Sequence, residues 1–245
     1  MITIESVHKR FGNVHAVNGV SFTAHNGQVT GLLGPNGAGK TTTLRMLYAL
    51  MQPDEGRIQV DAVDAVANPQ EAQARLGVLP DGFGLYPRLT AREHIRYYGE
   101  LHGLTGRALE ARADELFELL DMRAIADRRT AGFSHGERTK VAIARALVHD
   151  PANVLFDEPT NGLDVMSTRA VRDIIRRLRD QGRCVLFSSH VMQEVSALCD
   201  SIVVIAAGQV VASGTADDLR QLSGQSNLED AFVTLAGLNR ERPTP

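Results

Sequence analysis

Hydrophobic and polar positions along the chain follow two periods, one typical of strands and one typical of helices. Short apolar runs bounded by turn residues predict strands. These runs are ITIESV, VSFTA, VTGLL and RIQV up to residue 60, then RLGVLP, NVLFDEP, CVLFSSH and SIVVIA. Helical patterns separate the later runs, which predicts a mostly parallel sheet covered by helices on both faces. The early runs mix polar and apolar positions and predict an antiparallel flank, so the expected fold class is α/β.

Residues 85–149 show a different pattern, because amphipathic helical segments follow one another there without a strand between them. The segments are TAREHIRYYGELHG, RALEARADELFELLDM and SHGERTKVAIARALVHD. Thr90 with Glu93, and Ser134 with Glu137, have the S/T-x-x-E spacing of the capping box that begins a helix. An all-helical insertion is therefore expected over this range.

The length suits one large domain, expected over residues 1–220, with a core of residues 1–84 and 150–220 around the insertion. Residues 221–245 are expected to form a short helix and then a frayed tail, NRERPTP. One apolar stripe predicts that helix and consists of Leu228, Phe232 and Leu235.

Composition and charge are ordinary for a globular protein and exclude several classes. The formal net charge is -3, and 26 basic residues are scattered among 29 acidic ones, so no nucleic-acid partner is expected. Cys184 and Cys199 show neither metal spacing nor a disulfide framework, which is typical of a reducing compartment. The chain lacks the long apolar region of a signal peptide and any run of about 18 apolar residues, so we expect it alone not to cross a bilayer.

The stretch GPNGAGKT, residues 34–41, follows an apolar strand and precedes a helical pattern. It matches the P-loop (Walker A) motif, whose glycines let backbone N–H groups surround a phosphate chain. Lys40 would reach the outer phosphates, Thr41 would offer a hydroxyl to Mg²⁺, and Thr42 lies at the anion-favouring helix N-terminus. An ordinary glycine-rich turn is the alternative, but the context favours a nucleoside triphosphate. The expected phosphate-binding residues are Gly34, Pro35, Asn36, Gly37, Ala38, Gly39, Lys40, Thr41 and Thr42.

Two adjacent carboxylates, Asp157 and Glu158, end the apolar strand NVLFDEPT. Ligands of open α/β sheets bind beyond the carboxyl ends of the strands, so both acids are expected beside the P-loop. A P-loop ATPase needs one carboxylate to hold Mg²⁺ and a second group to orient or deprotonate the attacking water. Asp157 fits the first role and Glu158 the second; a merely solvated strand end is the alternative.

These motifs, together with FSHGE, NGLD and a strand-terminal His190, occur in one fixed order over nearly the whole chain. The chain thereby resembles the nucleotide-binding subunit of an ABC transporter. FSHGERTKVAIARAL is similar to the LSGGQ signature and its helix, NGLD to the D-loop, and LFSSH to the H-switch strand. The resemblance implies a RecA-like P-loop NTPase fold with ATP and Mg²⁺ as cofactors. It also implies two partners, a second cassette that is expected to be identical and a separately encoded multi-span permease.

In that family, two cassettes close head to tail, so the signature of one faces the ATP held by the other. The resemblance implies that Ser134 and Gly136 touch the γ-phosphate in trans and that Asp164 helps to couple the two sites. His190 would contact the γ-phosphate in cis. Taken alone, SHGE could be only a helix cap, and a lone strand-end histidine is more often structural.

Phe11 falls where the family stacks an aromatic ring on adenine, with Val17 as its apolar neighbour. Packing within the protein is the alternative for Phe11. Two departures from the family pattern occur. Asp81, in GVLPDGFGLYPRLT, replaces the Q-loop glutamine, and His135 and Glu137 replace glycine and glutamine in the signature. Asp81 is shorter and charged, and it could still meet Mg²⁺ or its water, which makes it a candidate catalytic and metal residue.

The segments LPDGFGLYPRLTAREHI and NLEDAF resemble those of NatA-like, sodium-exporting ATPases in the ABC type-2 exporter group. The implied function is ATP hydrolysis that drives a permease from the inner face of the membrane, with sodium or another cation exported. A drug, lipid or glycan is the next solute class. A soluble ABC protein that regulates or scaffolds an assembly is the rival function. ABC ATPases of translation or DNA repair fit less well. Those proteins resemble tandem cassettes or cassettes split by very long coiled coils, and this sequence shows neither pattern.

A partner surface is the last feature that the sequence suggests. Phe83, Leu85 and Tyr86 are large apolar residues in a segment rich in turn residues. Exposed apolar clusters usually mark partner surfaces, although burial against the protein's own core is equally compatible with the pattern.

Overall fold

The computed structural model describes residues 1–237, which fold into two sheets flanked by helices. The strands are β1 (Ile2–Phe11), β2 (Val14–Ala24), β3 (Val29–Leu33), β4 (Glu55–Val60), β5 (Val63–Asp64), β6 (Leu76–Leu79), β7 (Asn153–Asp157), β8 (Cys184–Ser189), β9 (Ser201–Ala206) and β10 (Gln209–Gly214). The helices are α1 (Lys40–Leu47), α2 (Pro69–Ala74), α3 (Ala91–Leu101), α4 (Gly106–Leu119), α5 (His135–Leu147), α6 (Val165–Asp180), α7 (Met192–Leu198), α8 (Ala216–Ser223) and α9 (Leu228–Leu235).

The larger sheet carries the core and has the order β10-β9-β3-β8-β7-β6. All its neighbouring strands are parallel except the β10–β9 pair. Every residue of β3, β7 and β8 is buried, as expected for strands covered on both faces. The register pairs Leu33 with Ser189 and Asp157 with Ser188, so the carboxyl ends of these three strands meet at one edge. The prediction of an α/β fold with a mostly parallel sheet is confirmed.

The smaller sheet has the order β2-β1-β4-β5 and is antiparallel throughout, which confirms the predicted flank. Two strands were not predicted. β5 spans only Val63–Asp64, and β10 is an edge strand on which only Ala212 is buried. Strands this short or this exposed carry little hydrophobic pattern.

Helices α3, α4 and α5 form the expected helical region, with short 3₁₀ turns between α4 and α5. Both predicted capping boxes are present, because each N-cap hydroxyl accepts from the N3 backbone and each N3 glutamate accepts from the N-cap N–H. Helix α8 runs across the boundary expected at residue 220. In α9, Leu228 and Phe232 are buried, and the predicted tail NRERPTP lies outside the described residues.

Within residues 1–237, no helix is both long and apolar enough to span a membrane.

Candidate active site

The P-loop joins the end of β3 to the start of α1 at the carboxyl edge of the parallel sheet. Gly37 and Gly39 have φ angles of 80° and 104°, a left-handed region that side chains rarely adopt. A Cβ at Gly39 would lie 2.4 Å from the carbonyl oxygen of Ala16, and a Cβ at Gly34 would lie 2.3 Å from that of Ile205. The loop therefore requires glycine for both its turns and its close approach to neighbouring strands.

Lys40 is the first residue of α1, and its ammonium group is buried inside the loop. Its Nζ donates to the carbonyl oxygens of Gly34 at 2.7 Å and Pro35 at 3.2 Å. The same Nζ lies 3.5 Å from Oε1 of Glu158. The lysine thus connects the P-loop backbone with the carboxylate predicted to act on water.

Glu158 follows β7 directly and has a φ angle of 51°. A non-glycine residue in this region costs about 1–3 kcal/mol and persists only where its surroundings hold it. Its N–H donates to Ser188 Oγ at 3.0 Å, and its Oε2 accepts from His190 Nδ1 at 2.8 Å. The carboxylate therefore lies between the Lys40 ammonium and the His190 ring, in a strained but well-held conformation.

Asp157 is the last residue of β7 and is nearly fully buried. Its Oδ1 accepts from Ser188 Oγ at 2.6 Å and from Thr41 Oγ1 at 3.3 Å. Its Oδ2 is buried and has no hydrogen-bond partner within residues 1–237. Burial raises the pKa of Asp157, and the nearby Asp81 and Glu158 charges add to that rise. A cation beside Oδ2 would supply the missing partner and favour the ionised carboxylate, so these residues fit a metal ion.

Lys40, Glu158 and His190 line one cavity of about 420 Å³, whereas Gly34, Pro35 and Asp157 lie outside its lining. The structure brings most of the predicted P-loop, acid and histidine residues together there, including Asp81. Ala16 and Asn161 also line it, although the sequence reasoning did not select them. The lining residues are Ala16, Asn36, Gly37, Ala38, Gly39, Lys40, Thr41, Thr42, Asp81, Glu158, Asn161 and His190.

Val17 is not among the cavity-lining residues within residues 1–237, so its place beside the adenine stays a prediction. Val17 is fully buried and packs in the core beneath the smaller sheet, while Ala16 lines the cavity in its place. Phe11 lies at the end of β1, paired with Val14, and its side chain is 48% exposed. The cavity lining within residues 1–237 does not include Phe11, so its stacking role stays a prediction.

Ser134, Gly136 and Asp164 lie together and are not among those lining residues. Ser134 and Gly136 line a second cavity of about 200 Å³, and a Cβ at Gly136 would lie 2.4 Å from Oγ of Ser167. Asp164 caps α6 by accepting from the Ser167 N–H at 2.8 Å, and this backbone hydrogen bond lowers the pKa of Asp164. The signature segment is therefore packed on α6 of its own chain.

The ABC transporter family model matches residues 17–161. The chain belongs to the ABC transporter family. The ABC transporter ATP-binding protein NatA of Bacillus subtilis is 46% identical over 239 residues, which cover 96% of this chain and 97% of NatA. The Nod factor export ATP-binding protein I of Burkholderia lata is 39% identical over 213 residues, which cover 87% and 70% of the two chains.

The fold agrees with this assignment. A solved structure of the ATP binding subunit of an ABC transporter has a TM-score of 0.88 and 28% identity. The comparison covers 96% of this chain and 99% of that chain. This ABC cassette is therefore an ATP-binding ATPase subunit, as the motif order predicts.

Two residues of the cassette support the site but were not found by sequence reasoning. Ser188 contacts both acids from the neighbouring strand β8. Glu194, buried on α7, accepts from Thr160 Oγ1 at 2.5 Å and from Ser189 Oγ at 3.2 Å. The polar end of CVLFSSH could have indicated Ser188, whereas Glu194 carries no signal in an amphipathic helix pattern.

Proposed function

We propose that this cassette hydrolyses Mg²⁺–ATP, dimerises on ATP, and thereby drives a separate permease that exports sodium or another small solute. The observation that carries the proposal is the Glu158 carboxylate held between Lys40 Nζ, at 3.5 Å, and His190 Nδ1, at 2.8 Å. A carboxylate placed beside the P-loop cation is suited to act on a water that attacks the outermost phosphate.

Each residue of this group has a distinct role in the proposal. Backbone N–H groups of the P-loop and the Lys40 ammonium hold the phosphate chain. His190, on the cavity wall, contacts the γ-phosphate, and Glu158 orients the attacking water or accepts its proton. The pair with Lys40 must loosen when phosphates enter, which frees the carboxylate to turn toward water.

Thr41 and Asp157 are the residues proposed to hold Mg²⁺, with Asp81 facing the same cavity. Within residues 1–237, no cluster of three or more His, Cys, Asp or Glu side chains could hold a metal ion by itself. Mg²⁺ is usually bound through one or two carboxylates together with substrate phosphates, so this sparse set is compatible with it. When bound, the ion neutralises charge on the β- and γ-phosphate oxygens.

A second cassette is proposed to complete the site. Ser134 and Gly136 line a cavity separate from that of their own P-loop, which supports a signature contact to the γ-phosphate from another copy. Both lie at the N-terminus of α5, where free N–H groups favour an anion. An identical partner in head-to-tail arrangement satisfies this geometry in both sites at once.

In this proposal, the cassette binds its permease at the cytoplasmic face of the cell membrane. Tyr86 and Tyr97 form an exposed aromatic surface on the helical region, suited to contact such a partner. Export is supported by the similarity to the Nod factor export ATP-binding protein I of Burkholderia lata. Sodium or another small cation is the first solute to test, followed by a drug, lipid or glycan.

Two measurements test the proposal. The first compares steady-state ATP hydrolysis by the wild type with that by Lys40→Ala, which should fold, bind ATP weakly and lose turnover. Arg57→Ala, on the smaller sheet, serves as the control for loss of a cation. The second captures the chain from a detergent extract and identifies the proteins that come with it. A multi-span membrane protein supports transport, whereas only soluble partners would favour a regulatory or scaffolding ATPase.

A further inference from the structure

His135, the residue that replaces a signature glycine, contacts the loop that follows the two catalytic-site acids. It is exposed and is the first residue of α5. Its Nε2 lies 3.0 Å from the carbonyl oxygen of Asn161. A carbonyl can only accept, so Nε2 carries the proton and donates. The ring also packs near Gly162, where a Cβ would lie 3.6 Å from Nε2.

The Asn161 carbonyl belongs to a tight turn that begins at Glu158. The N–H of Asn161 donates back to the carbonyl oxygen of Glu158 at 3.1 Å, which closes the turn. Glu158 itself has a left-handed φ angle of 51°, so its conformation depends on contacts that hold both ends of the turn. Ser188 holds the first end, and His135 holds the second.

The His135 ring also contacts Phe83, with ring centroids 5.1 Å apart and planes inclined by 45°. Phe83 follows Asp81 by two residues, and Asp81 lines the P-loop cavity. The carbonyl oxygen of Phe83 also accepts from Arg145 Nη1 of α5 at 2.7 Å. One imidazole at the start of the signature helix therefore contacts both loops that carry acidic residues into the site.

We propose that His135 is a positioning residue that holds the Glu158–Asn161 turn through its Nε2–H bond to Asn161. The inference rests on the proposed role of Glu158 in hydrolysis. Through this hydrogen bond, movement of the signature helix would reach the Glu158 carboxylate of the same chain. The proposed signature contact with ATP, in contrast, is made in trans. The P-loop contacts that hold ATP in the proposal do not depend on His135. Loss of the His135 side chain should therefore lower turnover and leave ATP binding unchanged.

Three substitutions separate the hydrogen bond from the ring. His135→Ala removes both, His135→Phe keeps a ring against Phe83 without the donor, and His135→Gln keeps an N–H donor without the ring. We expect kcat for ATP to fall by about tenfold to a hundredfold in the Ala and Phe variants. The Gln variant should recover most of the activity, and ATP affinity should stay within about twofold in all three. His25→Ala, an exposed histidine in the β2–β3 turn at the opposite end of the sheet, is the matched control.

Unchanged kcat in His135→Ala, or recovery by Phe and not by Gln, would overturn the inference. A wild type without ATP hydrolysis would instead overturn the proposed function, and the inference with it. A direct contact between His135 and the partner's nucleotide is distinguished in a Glu158→Gln background. There, adding His135→Ala should leave the ATP concentration that drives dimerisation unchanged. A marked rise in that concentration would assign His135 to nucleotide contact and not to positioning.

Discussion

The N–H of Ser134 donates to Oε2 of Glu137 at 2.8 Å, so the signature carboxylate is turned back onto its own helix start. The reciprocal bond, from the Glu137 N–H to Ser134 Oγ, measures 3.2 Å. Arg128 Nη1 lies 3.0 Å from the second carboxylate oxygen. The backbone hydrogen bond from Ser134, followed by the Arg128 charge, lowers the pKa of Glu137. The unusual acid in the signature is thus ionised, capped and paired.

Glu137→Gln should therefore change turnover by less than about tenfold, or roughly 1.4 kcal/mol. Glutamine retains a side-chain oxygen for the Ser134 N–H and loses only the pair with Arg128. A carboxylate that faced the γ-phosphate would instead repel it by several kcal/mol at low effective dielectric. Steady-state ATPase assays with the captured permease test this, and Glu93→Gln, in the matching capping box of α3, is the control. A rise in the turnover of Glu137→Gln by about a hundredfold or more would show that the carboxylate does face the phosphate.

Gly136→Asp should abolish turnover. The aspartate would block the close approach of a partner cassette, and the structure adds a nearer obstacle, because a Cβ at Gly136 would lie 2.4 Å from Ser167 Oγ of the same chain. An aspartate there must displace α6 or α5 and also brings a charge toward the second cavity. The same assay compares it with Gly132→Asp, since a Cβ at Gly132 meets open space within the described part of the chain. Substantial turnover in Gly136→Asp would contradict the close packing.

The parallel core could be predicted from the sequence because its strands are buried on both faces and therefore read as uninterrupted apolar runs. VTGLL and CVLFSS are such runs, and both are β-strands with every residue buried. The smaller sheet is harder to predict from the sequence. The register between β1 and β2 passes from Lys9↔Val17 to Arg10↔His15, so Ala16 lies at an irregularity. A shift of one residue exchanges the two faces of a strand, which is why Ala16 and not Val17 lines the cavity.

The candidate site, like the fold, could be predicted only in part from the sequence. The P-loop residues are contiguous in sequence, so a motif predicts them together. Ser188 meets Asp157 only because β8 pairs with β7 in that register, and Asn161 meets His135 only because α5 packs on the loop before α6. Contacts of this kind depend on tertiary structure, and the spacing along the chain does not contain them.

Glu158→Gln should keep ATP affinity and trap an ATP-bound dimer. The amide removes the group proposed to act on water, while the P-loop contacts of Lys40 with Gly34 and Pro35 are untouched. Mass measurement in solution, with and without ATP, should show a dimer that the wild type forms only transiently. Arg57→Ala is again a suitable control. If the variant stays monomeric at high ATP, both alone and with the permease, closure by ATP is not how this cassette works.

Tyr86→Asp should leave basal ATP hydrolysis intact and prevent its stimulation by the permease. The side chain is 49% exposed and meets Tyr97 edge-on, with ring centroids 6.0 Å apart, whereas Phe83 and Leu85 pack against the core. His94 Nε2 accepts from the Tyr86 N–H at 2.8 Å and fixes the backbone, so the substitution alters mainly the surface. Leu222→Asp, another exposed apolar residue, is the control. Normal transport by Tyr86→Asp would move the coupling contact elsewhere.

His149 should make folding stability depend on pH below neutrality. Burial lowers the pKa of His149 to about 4, and the His102 ring, stacked on it with centroids 3.7 Å apart, adds to that effect. Arg112 lowers the pKa further, while the hydrogen bond to the Leu76 carbonyl and the Asp150 charge oppose it. Nε2 donates to the Leu76 carbonyl oxygen at 3.1 Å, so Nδ1 is the unprotonated nitrogen. It is buried without a hydrogen-bond partner within residues 1–237, and a proton there would be unpaired.

The sign of the effect follows from these pKa values. The unfolded chain binds a proton near pH 6.5 and the folded chain only near pH 4, so the contribution of neutral His149 is complete above about pH 6.5. It is lost progressively as the pH falls from there toward 4. His149→Gln keeps a donor for the Leu76 carbonyl and cannot titrate, so its urea midpoint should fall less between pH 7.5 and 5 than that of the wild type. His25→Gln, at an exposed histidine, should retain the wild-type slope. Parallel pH dependence in wild type and His149→Gln would mean that this ring is not buried in its neutral form.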